Sequence, residues 1–117
     1  MTTNSATPLP RQPTVEHTPQ PATTVDVDPD ASTDALDALR SETARDIVSA
    51  LGDGPATASD LADRVDTSLQ NACHHLQCLQ AAGLVTDAGC WYSAKGTEMT
   101  VYGLTSRRLE LRLGSGD

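Results

Sequence analysis

The segment from Ser68 to Ala82 constrains the fold most, because its apolar residues recur at helical spacing over about four turns. At about 100° per residue these residues form one stripe along the helix, and Gly83 follows as a C-cap candidate. The opposite face is centred on His74, and the segment contains no Asp, Glu, Lys or Arg. We therefore predict a helix over 68–82 that is buried along one apolar stripe: Leu69, Ala72, Leu76 and Leu79.

Three shorter helices are predicted before this segment. The first covers Thr33 to Leu39, and the second runs from Glu42 to Leu51 behind a Ser41 cap. The third begins at the N-cap candidate Thr57, with Asp60 three residues later to complete a capping box. A short turn separates this third helix from the helix over 68–82, so the two are predicted to form a helix-turn-helix.

The residues after the long helix change to an extended pattern. Cys90 to Ser93 and Glu98 to Gly103 read as two strands around a turn that contains Lys95. Leu109 to Leu113 alternates apolar and charged residues, as a short amphipathic strand does. Two helices joined by a short turn and followed by a β-hairpin make a winged helix-turn-helix. The predicted fold class is therefore mainly α with a β-hairpin wing over residues 90–102.

The first 30 residues differ from the rest of the chain in composition. They hold six of the seven prolines, and their few apolar residues show no period. Such a stretch cannot bury enough surface to offset the entropy of ordering it. We therefore predict a disordered, Pro/Thr-rich acidic tail over residues 1–30 and a winged helix-turn-helix domain over residues 31–117.

Charge and motifs exclude several classes of protein. The net charge is −8, and Asp supplies 12 of the 16 acidic residues, which suits a cytoplasm of very high salt. No apolar run approaches 18 residues and the N-terminus lacks a secretion signal, so a cytoplasmic protein without membrane contact is expected. The three cysteines lack zinc-finger spacing, and neither a catalytic triad nor a glycine-rich phosphate loop can be assembled. We expect no enzyme activity, no metal site and no cofactor.

The polar face of the predicted helix fits a surface that reads DNA bases. Gln and Asn side chains match the N6/N7 edge of adenine, and His can donate to guanine or phosphate. Lys95 is placed to contact phosphate or the minor groove from the wing. The rival interpretation is a protein-interaction or dimerisation module that does not bind DNA, which the net charge of −8 favours. The predicted DNA contacts are Ser68, Gln70, Asn71, His74, Gln77 and Lys95.

His74 and Cys78 raise one alternative for the same face. They stand one helical turn apart, so they could offer two metal ligands, or Cys78 could respond to oxidants. Cys73 is predicted as a small core residue, and Trp91 and Tyr92 as packing of the hairpin rather than base-stacking residues.

Eight short blocks resemble the ArsR-type winged-helix regulators of halophilic archaea, and the resemblance covers roughly residues 31–113. It implies a homodimeric transcriptional regulator of double-stranded DNA, with recognition helix 68–82 and wing 90–102, whose small-molecule or metal effector is left open. Metal-sensing relatives carry a Cys-x-Cys pair where residues 58–65 have no cysteine, and many end in a long dimerisation helix where this chain stops soon after Leu113. Leu36, Leu39 and the strand 109–113 are the expected dimer surfaces. The blocks are Leu36–Leu39, Ser41–Arg45, Asp66–Asn71, His75–Leu76, Ala82–Val85, Trp91–Ser93, Lys95–Gly96 and Glu98–Tyr102.

Overall fold

The computed structural model describes residues 16–27 and 34–113. Within them the chain forms four helices and five strands, with most of the strands after the last helix. The helices are α1 (Asp34–Ala38), α2 (Glu42–Leu51), α3 (Ala58–Arg64) and α4 (Leu69–Ala81). The strands are β1 (Thr23–Val27), β2 (Ala56–Thr57), β3 (Val85–Tyr92), β4 (Glu98–Leu104) and β5 (Leu109–Leu113).

Hydroxyl side chains cap the three longer helices, and the sequence predicts two of these caps, Ser41 and Thr57. The Ser41 hydroxyl accepts a hydrogen bond from the Ala44 amide at 3.3 Å, and the Thr57 hydroxyl accepts one from the Asp60 amide at 3.2 Å. At the start of α4 the Ser68 hydroxyl fills the same role. Each hydroxyl satisfies an amide that the helix itself leaves without a partner. The predicted starts of α2, α3 and α4 are therefore confirmed.

Two residues with left-handed backbone conformation, Asp66 and Gly83, flank helix α4. Asp66, in the turn between α3 and α4, has φ of 57°, and Gly83, just beyond α4, has φ of 79°. Asp tolerates this conformation better than most residues, and Gly adopts it without steric cost. Beyond Gly83 the Leu84 amide donates to the Leu79 carbonyl at 2.9 Å, which closes α4 where the sequence predicted.

The wing is part of a three-stranded antiparallel sheet in the order β2-β4-β3. The short strand β2, between α2 and α3, pairs with β4 so that Ala56 lies opposite Tyr102. The hairpin β3–β4 pairs Cys90 with Thr100, with a register shift between Asp87 and Gly89. Pairing with β2 ties the base of the wing to the helix-turn-helix.

The core lies between the helices and this sheet. Its fully buried side chains are aliphatic and come from α2, β2, α3, α4 and β4. The chain has no Phe, so Leu, Ile, Val and Ala fill the interior. The largest fully buried side chains are Ile47, Leu61, Leu76, Leu79 and Val101.

One residue of the predicted apolar stripe is not buried. Ala72, Leu76 and Leu79 are fully buried, but Leu69 is 53% exposed. Leu69 is the first residue of α4 and lies about 50° around the helix from the centre of the buried stripe. The elements that pack on the middle of α4 therefore leave its first residue uncovered.

The prediction of a disordered tail is wrong for residues 16–27. Strand β1 pairs in parallel with β5, from Thr23 opposite Leu109 to Val27 opposite Leu113. Before β1, the Gln20 amide donates to the Thr105 carbonyl at 2.9 Å, and the Gln20 carbonyl accepts from the Arg107 amide at 2.8 Å. Backbone pairing orders this stretch, and backbone pairing needs no apolar period. Residues 1–15 and 28–30 of the predicted tail lie outside the described residues.

These strands also change the expected balance of secondary structure. Helices make up 38% of the described residues and extended structure 31%, so the fold is not mainly α. The strand predicted over 109–113 is present, with β1 as its partner. None of the helices that the structure describes is long and apolar enough to cross a membrane.

Candidate nucleic-acid interface

The exposed face of α4 is formed by three polar side chains. Gln70, His74 and Gln77 are all exposed, and their spacing of four and then three residues places them within about 60° of one another around the helix. The first turn of α4 contains no acidic residue and the last turn no basic one. The helix therefore presents to solvent a row of hydrogen-bonding groups that includes no Asp, Glu, Lys or Arg.

Ser68 and Asn71 hold the beginning of this helix. The exposed Ser68 hydroxyl accepts from the Asn71 amide at 3.0 Å. The half-buried Asn71 side chain donates from Nδ2 to the Thr67 hydroxyl at 2.8 Å. Asn71 thus fastens the turn to the helix, whereas the more exposed Gln70 beside it carries no such internal bond in the described structure.

The tip of the wing is held by Ser93. Its amide donates to the Thr97 carbonyl at 2.8 Å, and its hydroxyl accepts from the amides of Thr97 at 3.1 Å and Lys95 at 3.3 Å. Gly96 has φ of 83°, which closes the turn without a Cβ in the way. This compact turn presents the exposed Lys95 ammonium group at the end of the hairpin.

Two further exposed side chains belong to the same elements. Leu69, at the start of α4, is 53% exposed, and Tyr92, at the end of β3, is 60% exposed. Trp91 is half-buried, as hairpin packing requires, but Tyr92 is not packed in this way. Alternation along β3 could have separated them, since Cys90 and Tyr92 share the exposed side. An exposed Leu can contact the methyl group of thymine. The sequence pattern predicts Leu69 and Tyr92 as packing residues and therefore misses them as candidate contacts.

The histidines of α4 differ in their surroundings. The His74 and His75 rings lie 5.3 Å apart in an edge-on arrangement. Burial lowers the pKa of His75 below its usual 6.5, and the neighbouring His74 lowers it further. The lowered pKa disfavours the protonated ring of His75, whose half-buried side chain lies at the edge of the helix.

The cysteines form no metal centre with their neighbours. Cys78 Sγ lies 4.0 Å from His74 Nε2 on the exposed face of α4, and Cys90 Sγ donates to Glu98 Oε2 at 2.9 Å on the wing. The hydrogen bond to Glu98 is the main cause that raises the pKa of the Cys90 thiol. Across residues 16–27 and 34–113 no three His, Cys, Asp or Glu side chains are placed to hold a metal ion.

Most arginines that the structure describes in the C-terminal half are paired away from the wing. Arg108 lies 2.9 Å from Glu110, and Arg112 lies 3.4 Å from Asp26. The exposed Arg107, like Arg108, belongs to the connection between β4 and β5 that bonds to residues 20–23. Lys95 is therefore the cation that the hairpin itself presents.

The comparisons with known proteins agree with this geometry. Residues 39–88, from before α2 into β3, match a family model described as "Helix-turn-helix domain". Thirty-three solved chains match the structure. The chain contains a winged helix-turn-helix. No curated protein matches it.

Three solved structures illustrate the likeness. One is the homodimeric winged helix-turn-helix DNA-binding domain of a possible ArsR-family transcriptional regulator from Mycobacterium bovis, at 20% identity, TM-score 0.50 and 62% coverage of each chain. A crystal structure of a possible transcriptional regulatory protein from M. bovis has 23% identity and TM-score 0.51, with coverage of 62% of this chain and 72% of that one. NolR from Sinorhizobium fredii has 23% identity and TM-score 0.50, with coverage of 62% and 67%. At these identities the likeness shows the fold of the domain.

Proposed function

We propose that this protein is a sequence-specific transcriptional regulator that binds double-stranded DNA as a homodimer. Helix α4 enters the major groove, and the β3–β4 hairpin contacts the backbone or minor groove. The observation that carries the proposal is the exposed row of Gln70, His74 and Gln77 on the second helix of a helix-turn-helix. The solved regulators of the same fold support it, because one is a homodimeric DNA-binding domain.

The chemistry of the row suits base recognition. A Gln amide both donates and accepts, so it can bond to N7 and N6 of adenine at once, and His can donate to guanine. A helix face that served only as solvated surface would be expected to share the acidic character of this chain, which has 16 acidic residues against 8 basic ones. The face of α4 carries no Asp, Glu, Lys or Arg.

The low positive charge is compatible with DNA binding at high salt. Phosphate contacts usually dominate affinity in dilute buffer. At about 1 M salt the Debye length is roughly 3 Å, so long-range attraction by a basic surface is lost. Direct base contacts and a single close cation such as Lys95 then account for more of the binding. Residues 67–112 carry four basic and three acidic residues, a net of +1 within a chain of −8.

The first experiment selects the target. Folded protein is mixed with sheared host DNA in molar KCl, and the bound fragments are recovered and sequenced. Enrichment of an inverted repeat with half-sites about one helical turn apart is the expected result for a dimeric regulator. No enrichment would count against the proposal and favour the protein-interaction module, which the net charge of −8 also favours.

The second experiment assigns the contacts with a matched pair of substitutions. Gln70→Ala removes a side chain at the beginning of the exposed row, and Gln80→Ala removes the same exposed side chain near the other end of α4. A bidentate base contact contributes about 1–3 kcal/mol, so Gln70→Ala should weaken binding to the selected site about 5- to 150-fold. Gln80→Ala should leave it nearly unchanged. Equal losses in the two variants would show that α4 does not enter the groove by its first turns.

A further inference from the structure

The outer edge of β5 has no strand partner within the residues that the structure describes. On one side β5 pairs with β1, and no other strand of the described chain pairs with its second side. A two-stranded parallel ribbon with exposed side chains on both faces is an unusual element, because parallel strands are normally covered. Leu111 is 45% exposed and Leu113 79% exposed, so the ribbon exposes apolar side chains to solvent next to this strand edge.

The pairing with β1 fixes which backbone groups reach that edge. The Thr23 amide donates to the Arg108 carbonyl at 2.9 Å, so the backbone carbonyl of Arg108 faces β1. Backbone groups alternate along a strand, so those of Glu110 and Arg112 also face β1. The amide and carbonyl groups of the three leucines of β5 therefore face outward, which gives three donors and three acceptors on the free edge.

The charges of β5 are symmetric about its centre. The strand reads Leu-Glu-Leu-Arg-Leu, with Leu111 in the middle. Laid antiparallel against an identical strand about Leu111, it sets Glu110 opposite the partner's Arg112, and Arg112 opposite the partner's Glu110. The outward-facing leucines then oppose one another and exchange six backbone hydrogen bonds. The Glu–Arg positions become the non-hydrogen-bonded pairs, in which opposite side chains come closest.

This register is singled out by the charges. Outward groups must meet outward groups, so one strand can slide against the other only in steps of two residues. A slide in one direction sets Glu110 opposite the partner's Glu110, and a slide in the other sets Arg112 opposite the partner's Arg112. Like charges directly opposite each other are destabilising. The register about Leu111 forms the most backbone bonds and also pairs opposite charges twice.

We propose that two copies of this chain associate by antiparallel pairing of their β5 strands about Leu111, giving a four-stranded sheet in the order β1-β5-β5-β1. The inference deepens the homodimer of the proposed function and rests on it. Asp26 lies opposite Arg112 in the ribbon, 3.4 Å from it, so each polar row of the joined sheet alternates as Asp26, Arg112 and the partner's Glu110.

Charge favours a second copy over a partner of strong charge. Within the ribbon and its entry Asp26 and Glu110 balance Arg108 and Arg112, although the chain carries −8 overall. Two copies can therefore approach by this element without local repulsion. The free edge of β1 offers no equivalent, because pairing about Val25 would set Asp26 opposite the partner's Thr24 and form no ion pair.

The decisive test mixes two charge variants. Glu110→Arg makes both positions basic, and Arg112→Glu makes both acidic, so each variant alone sets like charges opposite each other twice. In a mixed dimer every basic residue meets an acidic one. By sedimentation in one KCl buffer, each variant should dissociate at least about tenfold more readily than wild type, and the equimolar mixture should recover a 1:1 dimer. Circular dichroism verifies that each variant is folded.

A proline pair tests the backbone bonds independently of charge. Leu111→Pro removes the central outward amide of β5 and leaves the bonds to β1 in place. Thr24→Pro removes an outward amide from the free edge of β1, which the proposal leaves unpaired. Leu111→Pro should abolish the dimer, and Thr24→Pro should retain it.

The outcomes separate this interface from the proposed function. A dimeric wild type whose Leu111→Pro and charge variants dimerise equally well would overturn the β5 interface and leave the homodimer standing. A mixture of the charge variants that stays monomeric would overturn it too. A wild type that is monomeric at every concentration would overturn both the interface and the homodimer. These experiments are done without DNA, so they do not test whether one copy of the chain binds a half-site.

Discussion

Replacing Gly103 by Ala is expected to displace the His17 ring from the Leu104 carbonyl on β4. Gly103 is buried, and a Cβ placed on it would lie 2.6 Å from His17 Cδ2 and 2.8 Å from Nε2. These separations are too short for non-bonded atoms, so the His17 ring must move. In the native structure that ring approaches the Leu104 carbonyl, with Nε2 2.7 Å from the oxygen. An Ala at position 103 therefore costs the domain this hydrogen bond.

The expected change in the free energy of unfolding follows from the loss of this hydrogen bond. A ring at the end of a side chain can move without shifting the backbone, so the loss is that of one hydrogen bond, about 0.5–1.5 kcal/mol. Against it, Ala restricts the unfolded chain more than Gly does, which stabilises by about 0.4–1 kcal/mol. In a His17→Ala background the ring and its bond are already gone, and only the stabilising effect remains. The coupling between the two substitutions should therefore be about 0.5–1.5 kcal/mol.

Urea unfolding of four proteins measures this coupling: wild type, the two single variants and the double variant. The effect on the unfolded chain cancels in the cycle, because it is present in both backgrounds. Hydrogen exchange at the Gln20 and Thr23 amides, which bond to Thr105 and Arg108, should stay slow in Gly103→Ala, because only the His17 ring moves. A coupling near zero would refute the docking of His17 against β4.

Two further predictions concern titratable groups. Glu98→Gln removes the carboxylate that raises the pKa of Cys90, so alkylation of Cys90 at pH 8 should become faster while that of Cys78 stays constant; an unchanged rate would contradict the Cys90–Glu98 bond. Because the pKa of His75 is lowered on folding, the unfolded chain binds more protons, and stability should fall as pH drops from about 6.5 toward the lowered value. His75→Gln should flatten the unfolding free energy over that window, and a slope equal to that of wild type would show that other groups cause it.

The elements that sequence reasoning placed correctly are those specified locally. The caps at Ser41, Thr57 and Ser68 each bond to an amide three residues later, and Gly83 ends α4 by its own conformation. Strand β1 is specified by a partner far along the chain, since Thr23 lies opposite Leu109. No local pattern reports such a pairing, although the β-branched run Thr-Thr-Val in a proline-rich tail was a signal for extended structure.

The candidate interface was predictable to the level of a helix face but not of single contacts. A helical wheel places Gln70, His74 and Gln77 on one side because spacing alone decides it. It cannot show that the side-chain amide of Asn71 already donates to the Thr67 hydroxyl. Nor can it show that the residues packed against α4 leave Leu69 uncovered. Both depend on how the first turn meets its surroundings. That is why the substitution of Gln70 alone tests the helix face more cleanly than a joint change of Gln70 and Asn71.

The two surfaces proposed to contact partners both avoid the net acidity of the chain. The face of α4 carries no Asp, Glu, Lys or Arg, and in the ribbon of β1 and β5 the acidic and basic side chains balance. In a chain of −8, other surfaces with the average composition would repel both a phosphate backbone and a second copy. Both proposed interfaces depend on groups that would be in direct contact with the partner, at hydrogen-bond distance. Interactions at that range survive the roughly 3 Å Debye length of molar salt, whereas long-range attraction does not.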